Sequence, residues 1–157
     1  MRRSAGILLY RVVDDGADGR IEVLLGHMGG PFWARKDAGA WTIPKGEHEP
    51  DEDPLSAARR EFEEETGVTL PVADFVDLGE IRQSGGKVVR AWAVEGDLDP
   101  ATLASNTFEM EWPPRSGKSA TFPELDRFEW LDLDAARSKI IAGQSEFLDR
   151  LTQRRTL

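Results

Sequence analysis

Residues 46–68 read GEHEPDEDPLSAARREFEEETGV, and nine of these side chains are acidic (Glu47, Glu49, Asp51, Glu52, Asp53, Glu61, Glu63, Glu64 and Glu65) against two arginines, Arg59 and Arg60. Nine minus two leaves seven of the chain's formal net charge of -9 in this one segment. A run of acids is usually a solvated face or a tail. The punctuation here argues for order. Asp53-Pro54 is a helix start, an N-cap acceptor followed by proline at the first helical position, where its missing N–H is harmless. The spacing predicts helix from Leu55 to Thr66, ended by Gly67 as a C′ residue.

At about 100° per residue, Leu55, Ala58, Phe62 and Thr66 fall within an arc of roughly 80° and form the core stripe. Glu61, Glu64 and Glu65 occupy the adjacent arc, because positions i, i+3 and i+4 face one another on a helix. Like charges on an exposed helix face repel by a few tenths of a kcal/mol per pair, so helix stability alone does not select them. A cation among them removes the conflict. Hard divalent ions take carboxylate, carbonyl and water oxygens, and Mg²⁺ is commonly held by a few carboxylates plus the phosphates of its substrate. Arg60 can orient a neighbouring carboxylate by a bidentate contact. Spacing alone leaves the solvated acidic face and the metal cradle both open. An EF-hand is excluded: counted from Asp51, the sixth position is Ser56 and the twelfth is Phe62.

The rest of the chain sets bounds. Its 157 residues, 39% hydrophobic and 31% charged, suit one globular domain with a single core. The apolar run Gly6 to Tyr10, bounded by Arg2, Arg3 and Arg11, is too short for a signal-peptide core or a membrane span, so a cytoplasmic protein is expected. No cysteine occurs, which excludes disulfides, thiolate metal sites and a cysteine nucleophile. The net negative charge argues against a nucleic-acid polymer as partner.

Ser4 to Val13 and Ile21 to His27 read as a hairpin around the Gly/Asp turn at 14–20. Met28 to Ala40 reads as a long functional loop carrying Trp33, Arg35 and Lys36. A short strand, Trp41 to Ile43, precedes the acidic segment. Phe75 to Gln83 and Lys87 to Glu95 form a second hairpin. Asn106 to Trp112 and Arg127 to Leu133 are further strands, and Asp134 to Leu151 has one continuous helical spacing. Trp41, Trp92 and Trp130 are expected in the core, and His27 and His48 as polar or hydrogen-bonded surface residues. Ser84-Gly85-Gly86-Lys87 reads as a plain hairpin turn, since no helix follows it as a P-loop requires. Arg115 and Lys118 read equally as phosphate contacts or loop cations.

Gly46, five residues, Glu52, seven residues, then Arg60-Glu61-Phe62-Glu63-Glu64-Glu65-Thr66-Gly67-Val68 matches the Nudix box at every fixed position. The chain resembles a Nudix hydrolase. That resemblance implies an α/β fold, an α/β/α sandwich with a mixed sheet, as one domain over residues 1–157 with its box at 46–68. It implies Glu61, Glu64 and Glu65 as ligands of Mg²⁺ or Mn²⁺, Glu52 and Arg60 as their orienting groups, and the Lys45 backbone carbonyl as a further ligand. The implied reaction is attack of water on a nucleoside diphosphate linked to another group.

Trp41-Thr42-Ile43-Pro44-Lys45-Gly46 is similar to the W-x-x-P-K-G of asymmetrical dinucleoside tetraphosphate hydrolases and diphosphoinositol phosphohydrolases. Lys87 leading into a strand with Trp92, and Glu124 six residues before Trp130, are similar to the former group, in which such a glutamate is a metal ligand or base. The implied substrate is a dinucleoside polyphosphate such as diadenosine tetraphosphate, met by Lys45, Lys87, Arg35, Lys36 and Trp33. Those enzymes often stack adenine on tyrosine, whereas the only tyrosine here is Tyr10, inside a strand, leaving Trp33, Phe108, Trp112 or Phe122 for that task. The alternatives are a MutT-type pyrophosphatase of ordinary or oxidised nucleoside triphosphates, a diphosphoinositol polyphosphate hydrolase, and a catalytically silent Nudix binding module. A small nucleotide or polyphosphate is the expected partner, with no nucleic-acid polymer and no membrane.

Overall fold

The computed structural model describes residues 2–13, 20–71 and 73–155. The strand β1 (Arg3–Val13) runs antiparallel to β2 (Arg20–Met28), with Tyr10 opposite Val23 and Val13 opposite Arg20. This is the expected hairpin; apart from Arg20, its turn lies outside the described residues. Next come two short strands, β3 (Trp41–Thr42) against β2 and β4 (Lys45–Glu47) against β1. The helix α1 (Pro54–Thr66) follows, then the antiparallel pair β5 (Val76–Arg82) and β6 (Val88–Glu95). A separate two-stranded sheet, β7 (Thr107–Glu111) with β8 (Ser119–Pro123), stands apart from the main sheet. The strand β9 (Leu125–Asp132) returns to pair with β2, and α2 (Leu133–Lys139) and α3 (Ser145–Arg155) close the chain.

The seven-stranded sheet has the order β3-β2-β1-β6-β5, with β4 on β1 and β9 on β2. It is mixed because β1 and β6 are parallel, from Arg3 opposite Val88 to Tyr10 opposite Glu95. Burial on both faces explains why β1 reads as an apolar run and not as an alternation. Ala5, Ile7 and Leu9 pack with Ala57, Ala58 and Phe62 of α1, whereas Leu8 packs with Ala136, Phe147, Leu148 and Leu151 of α2 and α3. Two helical layers therefore sandwich one sheet. Fully burying Phe62 contributes about 1.5–3 kcal/mol by area, the scale of what fixes α1 on the sheet. Among the described residues, no helix is long and apolar enough to cross a membrane.

The helix caps follow the sequence. Asp53 accepts from the Ser56 N–H at 3.0 Å, and Gly67, at φ 80°, donates its N–H to the Glu63 carbonyl at 2.7 Å. Four expectations fail for tertiary reasons. The helix expected over 134–151 breaks after Lys139, because Ile140 turns extended, bridges to Trp41, and hands over to a 3-10 turn at Ala142–Gln144. The strands β4 and β8 are additional, five residues or fewer each, and paired to segments distant in sequence or folded into the small sheet. His27 is fully buried and not at the surface, with Nδ1 2.8 Å from Asp126 Oδ1 and Nε2 2.6 Å from the Lys36 carbonyl. Trp41 and Trp92 are in the core, whereas Trp130 is only half-buried, its ring under Arg11 at 4.4 Å and its N–H on the Leu98 carbonyl.

Candidate active site

The segment Thr42 to Gly46 enters the site pressed against β1. Ile7 donates its N–H to the Pro44 carbonyl at 3.1 Å, and a β-carbon on Gly6 would meet that carbonyl at 2.7 Å, so only glycine fits there. The next glycine is tighter. A β-carbon on Gly46 would lie 2.0 Å from Glu61 Oε2 and 2.1 Å from its Cδ. The Glu61 carboxylate thus lies in the space a side chain at 46 would need.

The acidic face of α1 is not uniformly exposed, a point that helical spacing alone leaves open. Glu61 and Glu65 are 8% and 7% exposed, while Glu64 is open to solvent. Arg60 gathers the first part of the cluster: its Nε and Nη2 reach both Glu52 oxygens at 3.2 Å, and its Nη1 reaches Glu61 at 3.0 Å and Glu64 at 3.3 Å. One guanidinium orients three carboxylates. Burial, followed by the neighbouring Glu64, pushes the Glu61 carboxyl above its usual range against the pull of Arg60.

Glu65 turns into a cleft of about 250 Å³ lined also by Lys45, Lys87, Glu124, Gln83, Gln144, Met28 and Ile141. Its Oε2 is buried with no hydrogen-bond partner among the described residues. Burial first, then the Glu124 and Glu61 charges, raise its pKa to about 8, with Lys45 pulling the other way. Lys45 is pushed down by burial and by Lys87, and held up by Glu65, Glu47 and Glu61. Two ammonium groups and two carboxylates therefore face one small volume.

These features suit a cation. An orphaned buried carboxylate oxygen and a carboxylate packed on the Gly46 backbone are what a divalent oxygen-seeking ion would satisfy. Among the described residues, however, no three His, Asp or Glu side chains already stand as a cation cage. Glu61 and Glu64 lie with Arg60, and Glu65 and Glu124 lie in the cleft.

The other candidate substrate residues sit elsewhere. Trp33 is half-buried against the core on the α2 and α3 side with the Lys36 ammonium 5.1 Å from its ring centre, and Arg35 is exposed in the same loop; none of the three lines the cleft. Arg115 and Lys118 are at the far end of the β7–β8 hairpin, and Phe108 and Phe122 pair at its base, 6.0 Å apart. Trp112 meets Phe32 edge-on at 5.7 Å. His48 lies in the loop after β4, half-buried, on the Glu49 carbonyl. Sequence reasoning missed Gln83 and Gln144, which line the cleft. Neither stands in a recognisable motif, and only the fold brings them there.

Residues 2–151 match the NUDIX domain family model. An octanoyltransferase of Myxococcus xanthus is 32% identical over 115 residues, 73% of this chain and 29% of that protein, so the chain spans well under half of that relative. An RNA pyrophosphohydrolase of Bartonella henselae is 28% identical over 149 residues, 90% of this chain and 82% of the relative. Among solved structures, a binary complex of an Ap4A hydrolase from C. elegans superposes with TM-score 0.67 at 22% identity, covering 99% of this chain and 98% of that one. A mutT/nudix family protein of Listeria innocua gives 0.63 at 17% identity, covering 99% and 94%. Identities this low speak for the fold.

Proposed function

The chain belongs to the Nudix family of hydrolases acting on pyrophosphate bonds, and from that premise we propose that it cleaves a phosphoanhydride of a dinucleoside polyphosphate such as diadenosine tetraphosphate. One observation carries the substrate choice: Lys45 and Lys87 line the same cleft as Glu65 and Glu124. A polyphosphate chain longer than a diphosphate offers charges for both ammonium groups beyond those that a metal neutralises.

Glu61, Glu64, Glu65, Glu124 and the Lys45 carbonyl would hold Mg²⁺, or Mn²⁺ in its place. When bound, the ion supplies neutralisation of phosphate charge and a lowered pKa for the attacking water. The chain's own residues do the rest. Arg60 and Glu52 keep Glu61 and Glu64 in a fixed orientation. Lys45 and Lys87 bind and align non-bridging phosphate oxygens, as a positioned electrostatic clamp does in phosphoryl transfer. Where the ion leaves its carboxylate free, Glu124, half-buried in the same cleft as Glu65, would accept a proton from water entering there.

A second reading has its own support. The similarity to the RNA pyrophosphohydrolase extends over 149 residues, which favours the 5′-triphosphate end of an RNA as an alternative polyphosphate. A panel of diadenosine tetraphosphate, nucleoside triphosphates, ADP-ribose and 5′-triphosphorylated RNA, assayed with Mg²⁺ for nucleotide, phosphate and pyrophosphate products, separates these readings. Diadenosine tetraphosphate with the highest kcat/KM supports the proposal. Preferential turnover of RNA ends or of triphosphates replaces it.

A further inference from the structure

The corner between α2 and α3 breaks a helix that the sequence would allow to continue, and it does so beside the cleft. Gln144, in this corner, is 1% exposed, and both ends of its carboxamide are engaged. Its Nε2 donates to Thr42 Oγ1 at 2.9 Å, the Thr42 hydroxyl donates to the Ile43 carbonyl at 2.9 Å, and the Ile43 N–H donates back to Gln144 Oε1 at 3.1 Å. Ile141 adds a fourth bond, its N–H to the Trp41 carbonyl at 2.7 Å. Three consecutive residues, 41 to 43, are thereby tied to the corner, and Pro44 and Lys45 follow directly.

The same corner touches the segment that carries the other ammonium. A β-carbon on Gly143 would lie 2.9 Å from Gln83 Nε2, and Gln83 donates its N–H to the Lys87 carbonyl at 2.8 Å. We propose that the 140–144 corner, with Gln144 at its centre, is a positioning device that registers Lys45 and Lys87 against each other for a polyphosphate chain. The proposal rests on the polyphosphate reading of the cleft. A buried carboxamide is a poor choice for packing alone, since an apolar side chain of equal volume avoids its desolvation. Its geometry instead fixes the direction in which the 42–45 segment leaves the core. Gln144 acts through Lys45, and its loss should weaken binding where Lys45 is present and nowhere else.

The test is a double-mutant cycle on Gln144→Met and Lys45→Ala, read by calorimetric affinity for inorganic tripolyphosphate with Mg²⁺ and by KM and kcat on diadenosine tetraphosphate. Gln144→Met is expected to weaken tripolyphosphate binding about tenfold and raise KM while leaving kcat within about twofold. In the Lys45→Ala background it should change affinity no further. Thr42→Val, which removes the hydroxyl link at nearly constant volume, should reproduce the loss, and Thr42→Ser should not; this pair carries the test if Gln144→Met fails to fold. Additive losses, or a lowered melting temperature with unchanged affinity, overturn the positioning role while leaving the polyphosphate reading intact. If the wild-type protein does not bind tripolyphosphate, both fall together.

Discussion

The Glu61 carboxylate occupies the space above the Gly46 backbone, 2.0 Å from where a β-carbon would stand. The glycine that opens the acidic segment and the first glutamate of its triplet are thus one unit: the backbone must be bare for the carboxylate to lie there. Gly46→Ala should therefore act on the site more than on the fold. The obstructing group is the end of a flexible side chain, which can swing away, so the melting temperature should fall by only a few degrees, consistent with ~1 kcal/mol. Activity should fall about a hundredfold or more, because on the proposed metal site a carboxylate displaced by an ångström would no longer meet its ion. Circular dichroism melts and steady-state kinetics check this, and a variant with near-wild-type kcat/KM would break the link between the two residues.

Glu65 gives the metal-free protein a pH dependence. Its folded pKa, raised to about 8 by burial, Glu124 and Glu61, exceeds the unfolded value near 4.5. The folded state holds the proton more tightly, so this group's contribution to stability is full below 4.5 and is lost as pH rises through 8. The melting temperature in EDTA should decline between pH 5 and 9. Glu65→Gln, neutral throughout, should flatten that decline and melt higher than wild type at pH 8. A wild-type profile that rises across this range would contradict the buried-acid assignment.

Divalent metal should reverse the same penalty. An ion that binds the native carboxylates and not the unfolded chain adds about 2.7 kcal/mol at a hundredfold excess over Kd. Millimolar Mg²⁺ or Mn²⁺ should raise the melting temperature at pH 8 in the wild type and much less in Glu65→Gln or Glu64→Gln. Both variants should also lose turnover by orders of magnitude at saturating Mg²⁺. Indifference of the wild-type melting temperature to either ion, with tripolyphosphate present, counts against the metal site.

The parts of this architecture that were legible in the sequence are those whose signals are local. The Asp53 cap, the proline after it and Gly67 at φ 80° mark α1 within its own few residues, and the hairpins of β1 with β2 and β5 with β6 announce themselves by apolar runs around a Gly-rich turn. What was not legible depends on partners distant in sequence. His27 is buried because Asp126 arrives 99 residues later, and Ile140 leaves the helix because Trp41 offers it a bridge. The wheel placed Glu61, Glu64 and Glu65 on one arc correctly, but could not say that Gly46 and the cleft would bury two of them.

Lys45 is the residue on which the choice of substrate turns. Its ammonium lies in the cleft, where burial and the repulsion of Lys87 work against its charge and Glu65, Glu47 and Glu61 support it. An anionic chain reaching past the carboxylates relieves the Lys45–Lys87 repulsion as it binds, and a chain of four phosphates supplies more charge for this than one of three. A charge-assisted contact of this kind is worth roughly 1.5 to 3 kcal/mol, or about ten- to a hundredfold in kcat/KM. Lys45→Ala should therefore penalise diadenosine tetraphosphate well beyond a nucleoside triphosphate measured in the same buffer. Lys87→Ala should do so in the same direction and less strongly, since Lys87 is the more exposed of the two. Equal losses on both substrates would make Lys45 a general electrostatic or structural residue, and the preference for the longer polyphosphate would lose the observation on which it stands.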